Sequence, residues 1–187
     1  DVKSETLFTS GSENLGPKQW QKLACRIEEL SESPEIDGVV VTHGTDTLEE
    51  VAFFLDLVCQ PKKPVVLTAA MRPSTAISAD GPANLVQAIL TVTSPRFRKQ
   101  GILVTMNGSV IQGWQATKTH SLSLESFCSY PCGPLGRISG ENLIVFGAPS
   151  PSPLAGRFHE HLLKDKELPP VDMIFLRGGC GIKPLAS

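Results

Sequence analysis

Three short apolar runs, Val39-Val40-Val41, Val65-Val66-Leu67 and Ile102-Leu103-Val104, constrain this chain more than any other feature. Each is continuous, not alternating. A strand with one wet face alternates apolar and polar residues, whereas a strand covered on both faces does not. The runs therefore predict strands of a parallel sheet with helices on both sides, and the sequence between them supplies the helices. Pro17 suits a first helical position, and Trp20, Leu23, Ala24, Ile27 and Leu30 then fall on one face. Thr47-Leu48-Glu49-Glu50 has the form of a capping box, with Val51, Ala52, Leu55 and Val58 following at helical spacing. Gly81-Pro82 opens a third helix carrying Leu85, Val86, Ile89 and Leu90. Strands alternating with helices define an α/β class, and a doubly wound parallel sheet is expected.

The 187 residues suffice for one well-buried domain and slightly more. From Gly108 the texture changes. Polar, Gly-rich sequence runs through Thr119, and Ser123 to Gly140 reads as loops with room for a hairpin. Pro149-Ser150-Pro151-Ser152-Pro153 has a linker's composition. Beyond it, Val171 to Leu176 reads as one more strand, followed by Gly178-Gly179-Cys180-Gly181. The expected organisation is a domain over 1–148, a linker over 149–170 and the start of a second α/β domain over 171–187.

Apolar residues at 41% and charged ones at 19% describe a globular chain, not a disordered or fibrous one. A formal net charge of −2, with no Lys/Arg run, gives no electrostatic footprint for nucleic acid. No apolar run reaches the length of a bilayer span, so neither nucleic acid nor membrane is expected as a partner. Asp1 to Glu5 reads neither as a signal peptide nor as an initiator start, and the natural N-terminus is expected elsewhere. Cys25, Cys59, Cys128, Cys132 and Cys180 are odd in number and contain no C-x-x-C pair or zinc spacing. They read as small buried hydrophobes or incidental thiols and leave the compartment open.

In open parallel sheets, ligands bind beyond the carboxyl ends of the strands. There the sequence places Thr42-His43-Gly44-Thr45-Asp46-Thr47, Ala69-Ala70-Met71-Arg72-Pro73-Ser74-Thr75 and Asn107-Gly108-Ser109. Gly44 lets a ligand approach the backbone, and free N–H groups at a helix start favour an anionic group. These features point to a small molecule carrying a carboxylate or phosphate. Taken singly, each residue has a plainer account. Thr45, Asp46 and Thr47 read as capping residues, and His43 as a packed histidine with a satisfied hydrogen bond. Asp80-Gly81-Pro82 reads as a turn before a helix, and Lys118 as a solvated lysine.

Together the strings say more. Asp37 to Glu50, carrying Val-Val-Val-Thr-His-Gly-Thr-Asp-Thr-Leu-Glu-Glu, resembles a signature of the bacterial-type asparaginase and glutaminase-asparaginase family. Ala70 to Pro82 with Asn84-Leu85, then Thr117-Lys118-Thr119 and Gly133-Pro134-Leu135-Gly136, resemble further landmarks in the family's order. Ser12-Glu13-Asn14 is similar to its substrate-binding loop. The resemblance, nearest to the type II branch, implies a Rossmann-like or flavodoxin-like amino-terminal domain lacking its first strand. It implies hydrolysis of L-asparagine to L-aspartate and ammonia, with L-glutamine left open as a second substrate and no metal or organic cofactor. By the same resemblance Thr45, Asp46 and Lys118 form a Thr–Lys–Asp relay. Lys118 would activate the Thr45 hydroxyl or its attacking water, and Asp46 would hold the ammonium and the substrate's α-amino group. Ser12 would bind the α-carboxylate, Glu13 would face the α-amino group, and the backbone at Gly44 and Ala70 would hold the reacting amide. The full-length family member is expected to be a homotetramer, periplasmic or secreted, with the cytoplasm left open.

The family also uses a Thr-Gly-Gly-Thr-Ile segment, whose threonine is usually assigned as the nucleophile, and a loop tyrosine. Neither has a counterpart among these residues, where the sole tyrosine is Tyr130. Gly108, Trp114 and His120 stand where relatives usually carry aspartate, arginine and asparagine. Trp114 cannot reproduce a guanidinium's charge and donor fork. Three readings follow: a piece of an active asparaginase, an inactive truncated product that at most binds an amino acid, or a sensor or scaffold on the same fold. Residues 1–187 alone are expected to hydrolyse negligible asparagine.

Overall fold

The computed structural model describes residues 1–146, 151–159, 167–173 and 178. The continuous apolar runs form β1 (Val39–Thr42), β2 (Val65–Thr68) and β3 (Ile102–Met106). These pair in parallel, with Val39 against Val65 and Val65 against Ile102. Every residue of β2 and β3 is buried, as strands covered on both faces require. The covers are α1 (Pro17–Glu32), α2 (Leu48–Val58) and α3 (Gly81–Thr93). Successive strand residues point to opposite faces. Val65 and Leu67 accordingly join Leu23, Ile27, Val51 and Leu55 of α1 and α2 in one core. Val66 joins Ala88 and Val92 of α3 in the other.

The α/β class is as expected, but the sheet is mixed. β4 (Ser109–Gln112) turns back antiparallel on β3 through Asn107 and Gly108, whose φ values are 46° and 74°. Asn-Gly suits a tight hairpin because both residues tolerate positive φ. A Cβ on Gly108 would also stand 2.7 Å from the Ile138 carbonyl oxygen. Further on come β5 (Ala116–Lys118), β6 (Phe127–Ser129), β7 (Gly136–Ser139) and β8 (Asn142–Val145). The sheet order is β1-β2-β3-β4-β7-β8, while β5 and β6 make a separate two-stranded ladder. The stretch read as loops thus contains β6 and β7, and its hairpin is β7–β8. Among the described residues β1 has a strand on one side only, and Val39, Val40 and Val41 are half-buried.

One local expectation is corrected. The capping box at Thr47 does not form: Thr47 starts α2 without a side-chain cap bond, and its hydroxyl donates to the Ser12 carbonyl at 3.0 Å. That distant acceptor wins because the Ser12 turn packs directly against the Gly44 loop. Of the expected linker over 149–170, residues 151–159 dock on α2. Gly156 N–H donates to the Asp56 carbonyl at 2.8 Å and Phe158 N–H to the Leu57 carbonyl at 2.9 Å. Both carbonyls lie in the last turn of α2, which has no intrahelical donors for them. The remainder of the linker over 149–170, and Ile174 to Leu176 with Gly179, Cys180 and Gly181 of the expected second domain, lie largely or wholly outside the described residues. No helix among the described residues is long and apolar enough to cross a membrane. Cys59 is buried, as expected of a small hydrophobe, whereas Cys128 and Cys132 are exposed.

Asp56 is the charged outlier of this packing. It is 1% exposed, one oxygen accepts from the Ser152 hydroxyl, and the other is buried without a partner. Burial pushes the carboxyl up to about 6, against the lowering effect of the Ser152 bond. The folded value exceeds the unfolded one, so the neutral form's contribution is complete below about pH 4 and fades as pH rises through about 6. We predict that Asp56→Asn stabilises the fold relative to the parent at about pH 8 by up to about 3 kcal/mol. The advantage should disappear near pH 4. Thermal unfolding at both pH values checks this, and an equal effect at the two would sink it.

Candidate active site

The turn after β1 and the short strand β5 meet at the carboxyl end of the sheet. Lys118 Nζ donates to Thr45 Oγ1 at 3.1 Å and to Asp46 Oδ1 at 2.8 Å. These partners lie 73 and 72 residues away in sequence, so only the tertiary fold brings them together. The Lys118 side chain is 15% exposed and that of Asp46 is 65% exposed. The cluster is therefore a wall with a covered lysine and a carboxylate at its solvent edge. An ammonium has three donors and no acceptor, so as arranged Thr45 receives a hydrogen bond through its oxygen. The hydroxyl's own proton is directed elsewhere.

Ser12 comes to the same wall by close packing. A Cβ on Gly44 would stand 2.5 Å from Ser12 Oγ, so glycine is what admits the serine there. Ser12 is 4% exposed, and Gly44 is exposed. Glu13 is exposed, its carboxylate folded over Gly11 and accepting from Asn14 Nδ2 at 3.0 Å. Ala70 is exposed just beyond β2. The His43 ring nitrogen Nδ1 faces the Gly44 carbonyl at 2.9 Å, which only a protonated Nδ1 can satisfy. Its Nε2 is buried without a partner, so His43 is packed as expected, but one ring nitrogen is left unbonded. The structure thus unites Thr45, Asp46 and Lys118 by direct bonds and ties Ser12 and Gly44 to them by contact.

A second network holds the strand ends in place. Asn84, 2% exposed on α3, donates to the Ala69 carbonyl at 2.9 Å and to Asp80 Oδ2 at 3.0 Å. Its own oxygen accepts the Asn107 N–H at 3.0 Å. One buried amide therefore links the ends of β2 and β3. Asp80 does not cap α3 with its side chain. Its carboxylate reaches back to the N–H groups of Met71 and Arg72, both at 2.9 Å. Burial pushes that carboxyl up, but these donors and the Asn84 amide outweigh it and hold it below its ordinary value. By sequence alone Asn84 falls in a landmark string without a role, and Asp80 in a turn before a helix. The short spacing Asp80-x-x-x-Asn84 at a helix start was the available signal, since residues four apart share a helix face.

Fold and cluster define an α/β domain that presents a threonine, a lysine and an aspartate at the carboxyl edge of its sheet. The family model described as "Asparaginase, N-terminal" matches residues 1–151, and the chain belongs to that family. It is 41% identical over 184 residues to a Schizosaccharomyces pombe protein named "Probable L-asparaginase 4", covering 98% of this chain and 51% of that protein. It is 44% identical over 138 residues to "L-asparaginase 2" of Escherichia coli, covering 74% of this chain and 39% of that one. The crystal structure of a "Probable Cytoplasmic L-asparaginase" from Campylobacter jejuni superposes with a TM-score of 0.90 at 37% identity. It covers all of this chain (100%) and 59% of its own. The chain spans about half the length of the curated relatives it matches across nearly its whole length.

The Asp80 bonds yield a second prediction. A carboxyl lowered in the fold contributes stability that is present above its unfolded value and lost as pH falls through the folded one. Asp80→Asn should cost about 1–3 kcal/mol near neutral pH, because charge-assisted bonds to two N–H groups are lost. The cost should shrink at a pH well below the ordinary carboxylate range, where the parent carboxylate is itself protonated. Urea denaturation at both pH values reads the difference, and a variant equal to the parent at neutral pH would contradict it.

Proposed function

We propose that this chain forms part of an L-asparaginase, an amidohydrolase that converts L-asparagine to L-aspartate and ammonia. The observation that carries the reading is the bonded set Thr45–Lys118–Asp46, with an ammonium between a hydroxyl and a carboxylate. The names of the relatives support the same chemistry. In the reaction Lys118 first gives one ammonium proton to solvent by way of the exposed Asp46 carboxylate and enters the proton-transfer step as the free amine. It takes a proton from the Thr45 hydroxyl, or from a water held by it, as the oxygen attacks the amide carbon. The C–N bond then breaks and the leaving nitrogen departs as ammonia with a proton returned from Lys118. Water completes the release of the acid. Asp46 keeps Lys118 aligned between proton transfers and, at the solvent edge, meets the substrate's α-amino group.

Ser12 takes the α-carboxylate and Glu13 faces the α-amino group, while the exposed backbone at Gly44 and Ala70 flanks the reacting amide. No metal or organic cofactor enters this scheme. L-Glutamine is a candidate second substrate, since a pocket discriminates one methylene by only about 1–3 kcal/mol. We further infer that the open edge of β1 is completed by a strand from outside residues 1–187, and that the full-length protein is a homotetramer. The half-buried valines of β1 support the first point, because an exposed apolar edge strand invites pairing.

Lys118→Met in the full-length protein should reduce ammonia release from asparagine by about 100- to 10,000-fold, the range set by loss of an acid–base group, with the far-ultraviolet circular dichroism unchanged. Normal kcat in that variant would refute the relay. The purified 187-residue chain should release no ammonia above background. Release abolished by Thr45→Ala would show that this wall suffices alone.

A further inference from the structure

We propose that Glu49 is a positioning residue for Lys118, holding its backbone while Thr45 and Asp46 hold its ammonium. The inference rests on the relay reading above. Its starting point is the edge of β5. The ladder aligns Ala116 with Ser129, Thr117 with Cys128 and Lys118 with Phe127. Thr119 N–H bonds to the Ser126 carbonyl at 2.7 Å and Tyr130 N–H to the Gln115 carbonyl at 3.1 Å. In an antiparallel pair hydrogen-bonded and non-bonded positions alternate, so the odd-numbered residues of this stretch face β6. Lys118 N–H therefore points away from β6, toward the side of β5 on which no strand pairs among the described residues.

A carboxylate fills that side. Glu49 Oε2 accepts the Lys118 N–H at 2.5 Å. Glu49 lies in the first turn of α2, three residues after Asp46 and four after Thr45. The loop entering α2 and its first turn thus grip one lysine at both ends, through the main chain and through Nζ. A lysine stem has four rotatable carbons, and fixing both its ends removes the freedom that would smear Nζ over several positions. β5 has three residues and pairs with a strand of the same length, so its own ladder gives little rigidity. The Glu49 bond fixes that short strand to a helix packed in the core, where Leu48 and Val51 are fully buried. A charged acceptor also gives a stronger bond than a neutral one, and a carboxylate in a first helical turn is favoured by the helix dipole.

The test compares Glu49→Ala and Glu49→Gln in the full-length protein with Lys118→Met alongside. The glutamine amide oxygen can still accept the N–H; the alanine cannot. Glu49→Ala should lower kcat by about 10–100-fold, the cost of a displacement of roughly 1 Å, with KM within about twofold. Glu49→Gln should recover most of that loss. Exchange of the Lys118 amide hydrogen, read by NMR or mass spectrometry, should accelerate in Glu49→Ala and stay slow in Glu49→Gln and Lys118→Met. Unchanged kcat in Glu49→Ala would overturn the proposal, as would an inactive Glu49→Gln with a native circular dichroism spectrum. If Glu49→Ala does not fold, Glu49→Gln decides, because only a soluble variant with near-parental kcat and slow exchange agrees with the proposal. Normal turnover in Lys118→Met would end the relay reading, while the exchange result would still report whether Glu49 holds the strand.

Discussion

The shared ammonium of Lys118 is the interaction on which the arrangement at the sheet end depends. It joins a loop after β1 to a strand about seventy residues further on, and no local propensity specifies such a meeting. Three pieces of structure must be right at once. β1 and β2 must be in register so that the Thr42–Thr47 turn emerges at the sheet edge, with His43 N–H on the Thr68 carbonyl at 2.9 Å. α2 must start at Leu48, which sets Asp46 and Glu49 on the same side of the entering chain. β5 must leave the main sheet for its own ladder with β6, from which the Lys118 side chain reaches across to the turn. The buried apolar cores secure the first two conditions, and the polar contacts to Lys118 secure the third.

The two kinds of stabilisation are segregated along the strands. The bodies of β2 and β3 are apolar and buried, and their energy comes from area removed from water. At their carboxyl ends the chain changes to amide and carboxylate groups, buried at Asn84 and half-buried at Asp80 and Gln87, that satisfy backbone N–H and C=O groups where the ladder stops. Asn84 and Asp80 do this for β2 and β3, and Gln87 does it for the turn, accepting the Gly108 N–H at 2.8 Å. Such groups are costly when unpaired and rigid when paired. A sheet end built this way leaves backbone exposed while its loops are tied to side chains of Asp80 and α3.

What was legible in the sequence followed from periodicity. Val65 to Leu67 and Ile102 to Val104 could only be doubly covered strands, and the helices came from apolar spacing and Pro17. The antiparallel half of the sheet was missed although Asn107-Gly108 is a strong hairpin signal, because that string was read for ligand approach instead of turn chemistry. Thr45, Asp46 and Lys118 were legible only as parts of an ordered set of family landmarks. Singly each looked like a cap or a solvated residue, since local sequence does not encode a contact across seventy positions. Glu49 was hidden for a further reason. Thr47-Leu48-Glu49-Glu50 reads as a capping box, and that local account absorbs the acidic residues before any long-range role is considered. The Thr47 hydroxyl bonding to Ser12 removes that account.

The failed cap has a consequence for the site. Had the Thr47 hydroxyl folded onto the first turn of α2, it would have served the helix alone. By donating to the Ser12 carbonyl it ties the chain's first ordered turn to the loop that carries Thr45 and Asp46. Gly44 makes that approach possible by leaving no Cβ in the way of Ser12. Helix α2 therefore begins without a side-chain cap, and its first turn is held from outside by Ser12 at Thr47 and by the Lys118 backbone at Glu49. Local helix stability is given up for long-range connections, one of which starts beside Asp46, at Thr47, while the other ends on Lys118 itself. A site assembled from distant segments needs such cross-ties more than it needs a well-capped helix.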